Sequence, residues 1–291
     1  MPDRLVRSRW VVLLALAVLH PAFAGTPVNV LYAGSLVEVM EHGIGPAFDA
    51  ASGDRFRGYA GGSKLLANQI RSGLRAADVF ISAVPGVNRR LMGPGAAESV
   101  RWYAGFARSP LVIGYDASSR YAHAFATEPW VQALQAPGIR IGRTDPRLDP
   151  KGALTLRLMQ RAEAVYRLPG LAHRVLGDPE NPAQVLPEEV LVGRLQSGQI
   201  DAGFFFSTET EAAHIPTVRL PASVAPAARY TVTILHGAPH PAAARAFVRF
   251  LLGPDGRRIL ERNGLKPGQP VLAGDPRAVP ADLRRLLGAP E

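Results

Sequence analysis

Two serines hold the most suggestive positions in this chain. Ser35 ends a small-residue turn, Ala33-Gly34-Ser35, that follows the apolar run 28–32. Ser63 ends a second turn, Ala60-Gly61-Gly62-Ser63, after residues 55–59, and in both places a helical pattern starts at the next residue. The first N–H groups of a helix have no partner within it, and with the helix dipole they favour an anion. A serine hydroxyl can donate beside them, and a neighbouring glycine lets a guest approach the backbone. A serine at a helix start ordinarily serves only as a cap. Two such turns on consecutive strand–helix units make a second reading equally good: half of a cradle for a small oxyanion, at the carboxyl ends of parallel strands.

Other chemistry finds little support. Gly61-Gly62-Ser63-Lys64 is not a P-loop, which needs Gly-Lys followed by Ser or Thr. Lys64 could add attraction for a dianion but is expected to point to solvent. No G-x-S-x-G elbow surrounds Ser35, and no histidine has a triad context. Tyr32, Tyr59, Tyr103 and Tyr115 are scattered, which argues against a ferric site. The chain has no cysteine, so disulfides and thiolate metal sites are excluded.

The elements that must position the serines read as β-turn-α-β-turn-α-β over residues 28–83. A helix is expected over 36–48, weakened by Gly43, Gly45 and Pro46, and another over 64–72. Two strands are expected over 104–115, separated at Ser109-Pro110. The strand 139–142 leads through a turn with Asp145, Pro146, Asp149, Pro150 and Lys151 into a helix over 153–166. A helix over 188–197 precedes the buried run 200–206, whose tip is Ser207, Thr208, Glu209 and Thr210. A strand over 230–235 and helices over 241–252, 255–263 and 280–287 complete the chain.

With 291 residues, 47% of them hydrophobic, the chain can build one large or two medium α/β domains. Residues 1–24 have the pattern of a cleavable secretory leader: Arg4, Arg7 and Arg9, the apolar run 10–19, then Ala22-Phe23-Ala24. That run is short of the roughly 20 residues a spanning helix needs. Net charge is +9, and +7 once Asp3 and the three arginines of the leader are set aside. The charges are dispersed, without basic runs interleaved with aromatics, so nucleic-acid binding is not expected.

The residues then resemble a known family. LYAGSL (31–36), GGSKLLANQI (61–70), ADVFISA (77–83), TDPRLDPKG (144–152), GFFF (203–206) and FVRFLLGPDGRRILERNGL (247–265) are similar, in order, to the molybdate/tungstate-binding group of periplasmic substrate-binding proteins of ABC importers. The resemblance implies an α/β, two-lobed type II periplasmic-binding-protein fold, each lobe a mixed sheet flanked by helices, with two hinge crossings. Lobe one would comprise 25–108 and 231–291, and lobe two 109–230. It implies a monomeric periplasmic binding protein, not an enzyme, without a cofactor, that captures molybdate or tungstate in the cleft and passes it to a permease in the inner membrane. The ligand residues it implies are Gly34, Ser35, Gly62 and Ser63, with Lys151 as a backbone donor and Asp149 as a carboxylate able to coordinate the metal of the oxyanion. The family's strand at 203–206 usually ends in Tyr, preceded by Glu in members with expanded metal coordination; here Phe205 and Phe206 stand there. Ser207 or Thr208 is expected to supply the lost donor. Sulfate, phosphate or a small organic acid is the alternative guest, and an exported α/β hydrolase the alternative class.

Overall fold

The computed structural model describes residues 25–93 and 99–290; the expected leader, 1–24, lies outside them. Ten strands are present among the described residues: β1 (Pro27–Ala33), β2 (Arg55–Gly61), β3 (Val79–Ser82), β4 (Trp102–Tyr115), β5 (Ile141–Thr144), β6 (Val185–Leu186), β7 (Ala202–Phe206), β8 (Thr217–Arg219), β9 (Ala227–Ile234) and β10 (Lys266–Gly274). They form one curled sheet in the order β2-β1-β3-β9-β4-β7-β5-β6, with β8 and β10 also paired to β4.

β1 runs parallel to β2 and β3, as right-handed strand–helix–strand units require. β3 and β7 are buried at every residue, which is why both read as unbroken apolar runs rather than alternating ones. β5 runs parallel to β7, so the second half repeats the strand-then-helix logic of the first.

The expected break at Ser109-Pro110 is absent. β4 is one strand of 14 residues, paired with β9 over Ala104–Pro110 and with β7 over Leu111–Tyr115. Pro110 has no N–H to give, and it sits where β4 changes partners, so the missing donor interrupts neither ladder. The two lobes therefore share a strand, and the core continues through it: Val28, Phe106, Leu111, Phe206, Tyr230 and Phe247 belong to one buried cluster.

The first helix is less regular than its pattern. A single 3₁₀ turn, Gly34–Leu36, is followed by the turn Val37–Val39, a π-helical segment, Met40–Ile44, and the α-helix Gly45–Ser52. The weakness expected at Gly43–Pro46 thus appears as a change of winding. The helix Pro150–Tyr166 starts three residues before the expected point because Asp149 caps it. The helix Ser207–Ala212 and strand β10 had no clear sequence signal. β10 carries Pro267 and Pro270, lies at an edge of the sheet, and shifts register between Pro267 and Val271.

Candidate ligand site between the lobes

The serines do not act as caps. Ala33 and Gly62 hold the cap positions of the two helix starts, and neither makes a side-chain cap bond. Both hydroxyls are therefore turned to other work. Ser35 Oγ lies 3.0 Å from the Tyr230 hydroxyl. Ser63 Oγ accepts from the Ala83 N–H at 3.1 Å, so its own proton is what it can offer a guest. Both residues are buried.

The first turn presents its amides to a carboxylate from far along the chain. Gly34 N donates to Glu188 Oε2 at 2.9 Å and Ser35 N to Glu188 Oε1 at 3.0 Å. Glu188 opens a 3₁₀ turn after Pro187 and is delivered by the Pro/Gly-rich loop before it. Arg143, fully buried on β5, holds that loop: its guanidinium donates to Gln184 Oε1 at 3.0 Å, Pro179 O at 2.7 Å and Asp178 O at 2.8 Å.

The second turn meets the third across the gap. Leu65 N donates to Leu148 O at 3.0 Å and Lys64 Nζ to Pro146 O at 2.5 Å. Lys64 thus bridges the lobes and does not point to solvent; burial first, and then Arg90, lower its pKa. A Cβ on Gly62 would lie 2.8 Å from Leu148 O and 3.3 Å from Asp149 Oδ2, so only glycine allows this approach.

Asp149 uses Oδ1 as the helix cap, accepting from Lys151 N at 2.5 Å and from Thr144 Oγ1 at 3.1 Å. Its side chain also shares a hydrogen bond with the Glu188 carboxyl. The Lys151 amide expected to meet a ligand is therefore spent on the cap, whereas its side chain carries the charge of the site. Lys151 Nζ is fully buried, 2.6 Å from Glu209 Oε1 and 3.6 Å from Glu188 Oε1. Glu209 in turn accepts from Phe206 N at 2.7 Å.

Three carboxylates and one ammonium make an unbalanced buried cluster. Burial raises the Glu188 pKa well above the usual range, and the Asp149 charge adds to it. Burial raises Glu209 as well, against the pull of Lys151. For Lys151 burial works against the charge, but Glu209, Glu188 and Asp149 outweigh it and hold the ammonium well above its ordinary value. Burial also raises Tyr230, keeping its phenol protonated as a donor. Among the described residues, no three His, Cys, Asp or Glu side chains are placed to hold a metal ion.

Six of the seven expected residues line or support this junction: Gly34, Ser35, Gly62, Ser63, Asp149 and Lys151. Ser207 faces away. Its hydroxyl pairs with Ser109 Oγ at 3.1 Å, and it lines a separate groove with Pro110, Thr210 and Glu211. Thr208 is buried and donates through its backbone N–H to Ser109 Oγ at 3.2 Å. The phenol that Phe206 lacks is present on β9, beyond β4 in the sheet: Tyr230 packs edge-on against Phe206, ring centroids 6.3 Å apart, and reaches Ser35. Tyr230 and Glu188 were not marked by the sequence, and Glu209 only as one residue of the polar tip 207–210. The strand expected over 230–235 gave no hint for the first, since Tyr230, Thr231, Val232 and Thr233 are all buried there.

A family model described as "bacterial extracellular solute-binding protein" matches residues 28–266. A solute-binding protein of Petrotoga mobilis is 29% identical over 259 residues, covering 78% of this chain and 79% of the relative. A molybdate/tungstate-binding protein of Thermococcus kodakarensis is 24% identical over 318 residues, covering 90% and 87%. Among solved structures, the periplasmic molybdate-binding protein of Azotobacter vinelandii superposes with a TM-score of 0.64 at 20% identity, over 83% of this chain and 100% of that one.

Proposed function

This chain belongs to the family of bacterial extracellular solute-binding proteins, and from that membership we propose its cargo: a tetrahedral oxyanion, molybdate or tungstate first, held between the lobes and handed to an ABC permease. The fold is the two-lobed type II periplasmic-binding-protein fold. We divide it into 25–108 with 231–291 and 109–230, a division supported by the partner change of β4 between Pro110 and Leu111. Export through the leader at 1–24, a periplasmic address and action as a monomer belong to the same reading.

One observation carries it. The amides of Gly34 and Ser35 converge on the two oxygens of a single buried carboxyl group, that of Glu188. Those oxygens stand in for two oxygens of the cargo. Beside them, Ser35 and Tyr230 offer neutral hydroxyl donors in a buried site, where hydrogen bonds to a charged acceptor are strong, and the buried Ser63 hydroxyl stands on the neighbouring turn. Asp149, which shares a hydrogen bond with the Glu188 carboxyl, adds a hard oxygen donor suited to the metal centre of the oxyanion. The names carried by the Thermococcus and Azotobacter proteins support the choice of molybdate or tungstate.

Isothermal calorimetry with molybdate, tungstate, sulfate and phosphate tests the reading. Molybdate and tungstate are expected to bind at least tenfold tighter than sulfate. Absence of heat with all four would refute it. A small organic acid is the second reading, because the group the amides hold in this structure is itself a carboxylate; a titration with mono- and dicarboxylates separates the two.

A further inference from the structure

We propose that this protein carries a second ligand site, a cationic groove over the sheet face shared by β4, β9 and β10, which takes an organic polyanion: an apolar body bearing two or more carboxylate or phosphate groups. The groove stands apart from the oxyanion reading above and does not depend on what the cleft between the lobes holds.

Three cations stand in one row across three strands. Lys266 of β10 is paired with Arg108 of β4, and Arg108 with Arg229 of β9. Directly paired residues of antiparallel strands point to the same face. Neighbouring strands lie about 4.8 Å apart, so the row spans about 10 Å. All three residues are exposed, and Arg89, on the helix Pro85–Arg90, adds a fourth exposed cation beside them. Like charges directly opposite one another destabilise a sheet. Stability alone would favour an acid at the centre of the row, where the chain has Arg108. Among the described residues, none of the four cations is ion-paired with a carboxylate.

The row heads a groove of about 660 Å³. The next rung carries no charge: Val271, 70% exposed, is paired with Gly105, and Gly105 with Thr231. β4 has one extra residue between Gly105 and Ala107, and this bulge keeps Arg108 and Gly105 on the face of Arg229 and Thr231. Beyond that rung Ala273 is paired with Tyr103. No acidic residue lines the groove among the described residues. Charge gathered at one end and apolar surface over the rest is the division found in ligand pockets of this size. Guanidinium forks hold a carboxylate or phosphate bidentately, while an apolar body covers Val271 and Tyr103. A row of about 10 Å is wider than one small inorganic anion can bridge, so the ligand needs at least two anionic groups.

Of the residues at the junction between the lobes, Tyr230 alone also lines this groove, and its hydroxyl is turned to Ser35. A polyanion on the row would tie β9 and β10 to β4 two residues before Pro110, where β4 changes partners.

Calorimetry at low ionic strength tests the site with two probes, naphthalene-2,6-dicarboxylate and naphthalene-2,6-diyl bisphosphate. Saturable binding of one or both is expected, at least tenfold tighter than that of 2-naphthoate or inorganic phosphate. Which of the two binds identifies the group the arginines take. Arg108→Gln and Arg229→Gln are each expected to weaken binding at least tenfold. Arg161→Gln, an exposed position on the helix Pro150–Tyr166, makes the same change in net charge and is expected to leave it unaltered. Saturating molybdate is expected to leave probe affinity within twofold. Absence of saturable binding of both probes overturns the proposal, as does an affinity unchanged in Arg108→Gln or an equal loss in Arg161→Gln. Displacement of the probe by molybdate would place it in the cleft and overturn the proposal as well. A chain that binds no oxyanion yet holds a probe in an Arg108-dependent way keeps the groove and loses the oxyanion reading.

Discussion

Gly62→Ala isolates lobe closure from folding. Gly62 has φ −57° and ψ 125°, a conformation that alanine adopts without strain, so the first lobe should fold as before. The added methyl meets only the other lobe: Leu148 O at 2.8 Å, and Asp149 Cβ and Oδ2 at 3.3 Å. A carbonyl oxygen has to retreat by roughly half an ångström to make an ordinary contact, an overpacking cost of about 1–3 kcal/mol. The same retreat stretches the 3.0 Å bond from Leu65 N to Leu148 O. Its loss adds about 1 kcal/mol. The closed state should therefore lose about 2–4 kcal/mol, which at 1.4 kcal/mol per decade is roughly 30- to 1,000-fold in oxyanion affinity. Calorimetry with molybdate reads the affinity, and far-ultraviolet circular dichroism checks that the fold is intact. Wild-type affinity in an intact Gly62→Ala protein would refute the argument that the second and third turns meet on binding.

Three further outcomes are expected. Ser35→Ala removes a donor to the cargo and strands the buried Tyr230 hydroxyl, so molybdate binding should weaken by about 1.5–3 kcal/mol; calorimetry checks it. Lys151→Met keeps the volume but leaves Glu209 and Glu188 without their cation, and urea unfolding should show a loss of about 3–5 kcal/mol. The pKa values of Glu188 and Glu209 are raised in the folded state, mainly by burial, so the folded protein binds their protons more tightly than the unfolded chain does. Their contribution is fully present below the ordinary carboxylate value of about 4.3 and is lost as pH rises through the folded values. Melting temperature without ligand should therefore fall as pH rises above that value, with a shallower slope in Glu188→Gln; a slope unchanged by that substitution would count against the assignment.

The strand–turn–helix units were legible because their signals are local. Apolar runs ended by Gly and Ser placed β1, β3 and the helix Ser63–Arg71 within a residue or two. The anion-facing amides of Gly34 and Ser35 followed from the same local grammar. What those amides hold was not legible, since Glu188 reaches them from more than 150 residues away and its own neighbourhood, Pro187-Glu188-Glu189, reads as an ordinary solvated helix start. Lys151 is the counterpart: the third turn was recognised, but whether its lysine turned inward depended on Glu209, on a helix the sequence did not announce. Ser207 and Thr208 looked interchangeable as polar tips; the pairing of β4 with β7 put Ser109 beside them and turned Ser207 outward. Phe206 in place of Tyr read as a lost donor, because the supply of a phenol from β9 is a matter of sheet order, which no single segment encodes.

The unbroken course of β4 bears on how such a molecule can move. A strand of 14 residues, laddered to β9 until Pro110 and to β7 beyond it, is not a loose joint with a free swivel. It resembles a leaf spring, whose bending is shared over many peptide units and whose direction is set by the sheet's own coil. Opening should follow one narrow arc, returning Gly62 opposite Leu148 in the same alignment on every cycle.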